Sequence, residues 1–195
     1  MWALVTDITI TKIINNPQPL VIGDTQYSKN IFSFRWSNEE REAIGIYEVV
    51  FDNTNRKDEA YYINTDQTFA FVGGAVTASY GLPNAKALAD TTDEEGRVTP
   101  GLKSQKKSII KQQASGLLTP TDWQVIKATE VESYSVPSAI TTYRANVRTK
   151  SNDMEVLIDA CSTVDELAAL YEYVNVGTEE NPVMERPLGE FPEAV

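Results

Sequence analysis

The chain holds no histidine and one cysteine, Cys161, so its capacity for chemistry rests on carboxylates, lysines, tyrosines and arginines. Imidazole is the usual proton carrier near neutral pH. Its absence removes serine triads, histidine metal centres and most general-base mechanisms. A single thiol excludes an intrachain disulfide and a four-cysteine zinc site. The acidic pairs Glu39/Glu40, Glu94/Glu95 and Glu179/Glu180 do not signal catalysis, because neighbours on a helix diverge and the other two pairs fall in expected loops. A carboxylate glycosidase would need two facing carboxyls roughly 5–9 Å apart, a geometry that sequence does not encode. Asp52, Asp58 and Glu59 can offer oxygens to a hard cation, but the Asp-x-Asp-x-Asp-Gly spacing is missing. Gly73-Gly74 is followed by neither Gly-Lys-Ser/Thr nor a helix, so it is no phosphate loop. No catalytic, cofactor-binding or metal-ligating residue is expected.

Residues suited to gripping another protein are easier to find. Lys103, Lys106, Lys107 and Lys111 cluster on one flank of an expected helix. Such a run suits nucleic acid, but is more often a solvated face. A third reading suits the charge distribution better: the acidic tail of this subunit or a neighbour lies against it. Trp123, in Thr-Pro-Thr-Asp-Trp, is expected to pack its turn onto neighbouring helices, with exposure for recognition as the alternative. Asp122 can accept from Arg144 or Arg148, which would pin that turn to the helix carrying Tyr143. Trp, Tyr and Arg are the types that dominate interface energetics.

The elements that must position these residues divide the chain. "ALVTDITITKII" (3–14) alternates with period two and is rich in β-branched residues, predicting a hairpin bent at Thr6-Asp7. "NNPQP" ends it, and "LVIGD" (20–24) and "NIFSFRW" (30–36) read as further strands. Ser37 with Glu40 is a capping-box pattern opening a helix that Gly45 stops after about two turns. Ile46–Phe51 continues as a strand. Residues 60–82 read as two or three strands, with Gly73-Gly74 as a hairpin turn or a bulge. A turn-rich acidic stretch, 83–100, separates this β-rich domain (1–82) from a helical one (101–174). Thr99 and Pro100 offer an N-cap and first helical residue. On the next helix Leu102, Ile109, Ile110 and Leu117 share a side. On "PSAITTYRANVRTK" (137–150), Ile140, Tyr143 and Val147 form one stripe and Arg144 and Arg148 another. Thr163 with Glu166 caps a last helix, and 175–195, with three prolines and five glutamates, reads as an extended acidic tail. The fold class is α+β.

The chain has 195 residues, of which 42% are hydrophobic and 23% charged, the balance of a globular protein rather than a disordered one. It opens without a basic secretory n-region, and its longest weakly polar run, 69–78, is about half a membrane span. A soluble chain is expected, without a membrane partner. The net charge of −11 is unevenly spread: residues 101–150 carry 8 basic and 3 acidic side chains, residues 151–195 carry 1 and 11. The overall field repels phosphate, so no nucleic-acid partner is expected.

The order "LKSQKKSIIKQQASGLLTPTDWQVIK…VPSAITTYRANVR" resembles the C-terminal segment of bacteriophage tail-assembly chaperone and tail-fibre-assembly proteins. Those segments run as a helix, a Leu-Leu-x-x-Thr-Asp-Trp turn, a polar spacer and a helix carrying Tyr-Arg-x-x-Leu-Arg. Leu117, Leu118, Thr121, Asp122, Trp123, Tyr143, Arg144, Val147 and Arg148 fall on those places, with Val147 for the usual leucine. "FRWSNEEREAIGIYEV" is similar to a Ser-x-Glu-Glu helix and Gly-Ile-Tyr strand of phage tail-associated proteins. The resemblance implies a non-enzymatic tail protein, a virion component or assembly factor, found in the virion tail or in host cytoplasm during assembly. It implies tail or fibre proteins and further copies of the chain as partners. Two departures stand beside it: a helical unit after residue 150, and the acidic tail. An acidic host-directed regulator or DNA mimic is the alternative, though the basic 101–150 block interrupts the surface a mimic needs.

Overall fold

Strict alternation in β1 (Trp2–Thr6) sends Ala3 and Val5 to one side and Trp2 and Leu4 to the other. Both sides are covered, which explains why so short a strand carries so few polar residues. In the computed structural model, which describes residues 1–195, the chain forms two compact units, Met1–Asn84 and Ala85–Val195. The architecture is α+β, with a β-rich first half and a helical C-terminal half.

In the first unit β1 pairs antiparallel with β2 (Thr9–Ile14) on one edge and with β5 (Ile46–Asp52) on the other. β3 (Leu20–Ile22) and β4 (Thr25–Tyr27) form a separate small hairpin. After β6 (Tyr62–Ile63), β7 (Gln67–Val72) and β8 (Ala75–Tyr80) turn at Gly73-Gly74, both at positive φ. This settles the hairpin over the bulge, since a tight two-residue turn needs left-handed residues. β8 pairs parallel with β5, giving the order β2-β1-β5-β8-β7. The sheet curls until its edge strands β2 and β7 approach each other. Ala3, Val5, Val49, Val76 and Ala78 fill the enclosed face, with Ile10, Ile13, Tyr47, Phe69 and Phe71 around them. A second cluster, Ile14, Leu20, Ile31, Phe32 and Ile46, covers the opposite face. Each such buried aliphatic side chain is worth roughly 1.5–3 kcal/mol of transfer free energy.

Helix α1 (Asn38–Glu42) begins with a reciprocal Ser37–Glu40 capping box, as its pattern predicts. Gly45 ends the turn at φ 81°, and a Cβ there would sit 2.6 Å from the Val5 carbonyl oxygen. That close approach allows the Val5 amide to donate to the Gly45 carbonyl at 2.8 Å, and it starts the β1–β5 pairing.

Two expectations are corrected in this unit. The first hairpin bends at Asp7-Ile8, one residue later than expected, with both residues at positive φ. A strand at 30–36 is replaced by a 3-10 turn, Lys29–Phe32, capped by Ser28. Alternation would have sent Phe32 and Phe34 to the same side, but the turn buries Ile31 and Phe32 together and leaves Phe34 94% exposed. Arg41 fixes the turn by donating to the Ile31 and Ser33 carbonyls at 3.1 and 3.3 Å. β4 had no sequence signal beyond Gly23-Asp24.

The second unit opens, after β9 (Asn84–Ala85), with the hairpin β10 (Thr91–Thr92) and β11 (Val98–Thr99). Most of the expected linker therefore belongs to the helical unit. Because Thr99 is held in β11, helix α2 (Leu102–Leu118) starts two residues later than its Thr-Pro signal suggests, with Gly101 as N-cap. Gly101 has no side chain to cap with. The Asp90 carboxylate substitutes by accepting from the Gly101 amide at 2.8 Å. α3 (Asp122–Glu130) follows a 3-10 turn at Thr119–Thr121, so Trp123 lies on a helix rather than in a bare turn. α4 runs unbroken from Ser138 to Ala160, absorbing the start of what read as a separate helical unit. α5 (Val164–Ala169) carries the predicted Thr163–Glu166 capping box. β12 (Val174–Asn175) and β13 (Met184–Glu185) pair beyond it.

The core of this unit is the α2–α4 contact. Leu102, Ile110 and Ala114 of α2 are buried, as are Tyr143, Val147, Met154 and Ile158 of α4. Ile109, expected on the apolar side of α2, is largely exposed instead. Val164, Leu167 and Leu188 complete the core, and Phe191 packs with Leu117 and Leu118 around Ala114, Tyr143 and Val147. No helix is long and apolar enough to cross a membrane.

Candidate interaction surface

The last turn of a helix leaves carbonyl oxygens without intrahelical donors, and a buried helix end must find donors elsewhere. At the end of α2 the donor is Arg144. One arm of its guanidinium donates to the Leu118 carbonyl at 2.8 Å and to Thr121 Oγ1 at 2.5 Å. The other arm pairs with Asp122 at 2.7 Å. Arg144 itself is only 7% exposed, so the planar fork is held inside the unit. Tyr143, beside it, is buried and donates to the Leu117 carbonyl at 3.4 Å. The pairing of Asp122 with Arg144 is one of the two options the sequence left open. Arg148 takes neither part: it is exposed and donates to the Arg144 carbonyl at 3.3 Å.

This clamp sets the start of α3 and therefore the direction of Trp123. None of α3 is fully buried. Gln124 faces inward and accepts from the Tyr134 hydroxyl at 3.2 Å. Trp123 is 56% exposed and Ile126 equally so, contrary to the expectation that Trp123 packs against neighbouring helices. With Lys127 they occupy positions i, i+3 and i+4 of one helix face. The Lys127 ammonium lies over the Tyr134 ring at 4.5 Å and near the Trp123 ring at 6.0 Å. The cation is thereby placed by aromatic faces rather than by a carboxylate.

The lysine cluster is satisfied within the unit. Lys107 pairs with Asp159 at 2.7 Å, Lys111 with Glu155 at 3.1 Å, and Lys103 donates to the Asp159 carbonyl at 2.8 Å. Lys106 sits 4.6 Å over the Tyr171 ring. Lys103, Lys107 and Lys111 are thus partnered by the last turns of α4 rather than by the acidic tail. The hydrogen bond that Lys107 donates to the Asp159 carboxylate raises the Lys107 pKa above the ordinary lysine value, against a smaller desolvation. At the start of the same helix, hydrogen bonds from Ser104 and the Gly101 amide hold the Asp90 carboxyl below the usual aspartate range.

No three His, Cys, Asp or Glu side chains stand close enough to hold a metal ion. Cys161 is buried, and desolvation, with Glu166 adding to it, pushes its thiol pKa up and away from the reactive thiolate. The groove of about 510 Å³ on α2, lined by Ser104, Lys107, Ser108, Lys111, Gln112 and Ser115, is open and polar. The features sequence reasoning missed are Thr121 as an Arg144 partner, and Ile126 and Lys127 beside Trp123. The Trp-x-x-Ile-Lys spacing is present in the sequence and becomes a signal once residues 122–130 are recognised as helical.

Compared with known protein families, with characterised proteins and with solved structures, the chain matches none of them.

Proposed function

We propose that this chain is a non-enzymatic bacteriophage tail protein, a virion component or a factor that assembles tail or fibre subunits, acting through protein–protein contacts. The observation that carries the reading is the α3 face: Trp123 and Ile126 stand half in water on a helix whose base is fixed by buried Arg144 through its pair with the half-exposed Asp122. Holding a large aromatic and a β-branched side chain in water forgoes transfer energy that a core position would gain. A rigid mount lowers the ordering cost of docking. Trp123 and Ile126 serve as apolar anchors in this reading. Tyr143 and Arg144 shape the mount from inside, and Lys127 supplies charge at its rim. The resemblance of this same stretch to tail-assembly proteins supplies the class of partner.

Quantitative mass spectrometry of purified phage particles and of infected-cell lysate tests the reading. A fixed copy number per particle supports a virion component, and presence in lysate with assembly intermediates but not in particles supports an assembly factor. Absence from both overturns it. In the same preparations Trp123→Ala is expected to keep the fold and lose the co-purifying tail protein.

A further inference from the structure

Beyond α5 the chain leaves the packed body and returns to it. Every residue from Glu172 to Glu185 is exposed, whereas Leu188 is 1% exposed and its amide donates to the Leu170 carbonyl at 3.0 Å. Residues 172–185 form an arm, and the returning residues, 186–195, form a strap beside α2. The arm base is closed by Glu190, which accepts from the Tyr173 hydroxyl at 2.7 Å and pairs with Arg186 at 2.6 Å.

Two apolar side chains seat the strap: Leu188 in the core, and Phe191 against Leu117 and Leu118. Between them Gly189 turns the backbone at φ 75°, where a Cβ would be strained and would collide with the end of the Lys150 side chain from α4. The Arg186 guanidinium fixes that turn by donating to the Gly189 carbonyl at 3.0 Å. The far end is looser. Glu193, Ala194 and Val195 are exposed, and an open cavity of about 500 Å³ lies where Phe191 and Pro192 face Gln113 and Gly116. The seat of Phe191 is therefore wetted on one side, unlike that of Leu188.

Phe191 meets the α2–α4 core at the residues that fix α3. It packs with Leu117 and Leu118 around Ala114, Tyr143 and Val147. The Leu117 carbonyl accepts from the Tyr143 hydroxyl, and the Leu118 carbonyl accepts from Arg144. Arg144 in turn holds Thr121 and Asp122 at the start of α3. Because α3 buries no residue of its own, its placement depends on these contacts more than on packing. Lifting Phe191 opens the last turn of α2 to water, which competes for both carbonyls and slackens the mount.

We propose that the strap is a latch on the α3 face. With Phe191 seated the face is rigid and competent to dock; with the strap lifted α3 loosens and docking fails. The effect is local, because Leu102, Ile110, Met154 and Ile158 keep the α2–α4 contact closed toward the start of α2. The docking half of the proposal rests on α3 being the interaction surface. The coupling of strap to helix does not, and it is measured on the free protein.

Hydrogen–deuterium exchange of the full chain, read by mass spectrometry helix by helix, tests it. Phe191→Ala is expected to speed exchange of the α3 amides about tenfold, while residues 102–110 of α2 stay within about twofold of native. Phe191→Leu, which refills the seat, should restore most of the protection. Gly189→Ala unseats the strap through its backbone and leaves Phe191 intact, so it should loosen α3 in the same sense. A strap that opens in both variants while α3 exchanges as in the native chain overturns the proposal. So does acceleration spread evenly over α2, α3 and α4, which marks Phe191 as ordinary core. A Phe191→Ala chain with a loosened α3 that still holds the tail protein lost by Trp123→Ala overturns the docking half. Absence of the native chain from all phage material sinks the tail assignment alone and leaves the coupling of strap to α3 standing.

Discussion

The two ends of α2 are each tied to the rest of their unit by basic side chains, yet the ties differ in kind. Toward the N-terminal end, Lys103, Lys107 and Lys111 reach α4 across a flank open to water. At the C-terminal end a single Arg144 comes from α4, is buried, and serves two acceptors and a carboxylate. Four lysines in a row look like the stronger feature in sequence. Physically the lone arginine matters more, because screening by solvent erodes the exposed pairs, while an unmet carbonyl or hydroxyl inside the protein has no substitute partner.

Mutagenesis can break or sharpen that contrast, beginning with the largest effect. Arg144→Met is expected to cost about 2–4 kcal/mol in chemical denaturation, because it strands the Leu118 carbonyl and Thr121. Arg144→Lys should recover only part, since an ammonium cannot reproduce the two-armed fork. Leu188→Ala should cost about 2–3 kcal/mol as a truncated core residue. It should also release the arm base, seen as faster proteolysis by a glutamate-specific protease at Glu190. Trp123→Ala is expected to change stability by less than about 1 kcal/mol, chiefly through lost contact with Lys127. Loss of more than twice that amount would mean that Trp123 supports the fold. Lys107→Ala should lie within about 0.5 kcal/mol and fade in high salt.

Titration separates two supports of the N-terminal half of α2. Lys107 has a raised folded pKa, so its contribution is complete below the ordinary lysine value of 10.5 and is lost as pH rises through the folded value. Asp90 has a lowered one, so its support of the α2 start is present above the ordinary 3.8 and is lost as pH falls through the folded value. Denaturation across pH should therefore show a Lys107-dependent decline only at the alkaline extreme, and an Asp90-dependent one only in acid, each abolished by Lys107→Met or Asp90→Asn.

The fold class was legible because its signals are local. Alternation gave β1 and β2, and the capping boxes at Ser37 and Thr163 located two helix starts. Errors arose where a tertiary partner outweighs the local pattern. Ile31 and Phe32 abandon alternation because the cluster around Ile14 and Ile46 takes both side chains at once. Thr99 loses its capping role to a β bridge with Thr91. At the candidate surface, the Asp122–Arg144 pair could be anticipated from charge and spacing. The exposure of Trp123 could not, because it depends on where a carbonyl twenty-six residues before Arg144 needs a donor.

Ile8 carries a further consequence. It sits at the tip of the first hairpin at φ 62° and is 83% exposed, so it pays the steric cost of a left-handed β-branched residue without any packing in return. Glycine at that position should raise the melting temperature and speed refolding, because the tight turn would then form before the strands it joins find their partners. Natural drift at this site would therefore run toward Asn or Gly unless the isoleucine is kept for something it touches outside its own chain.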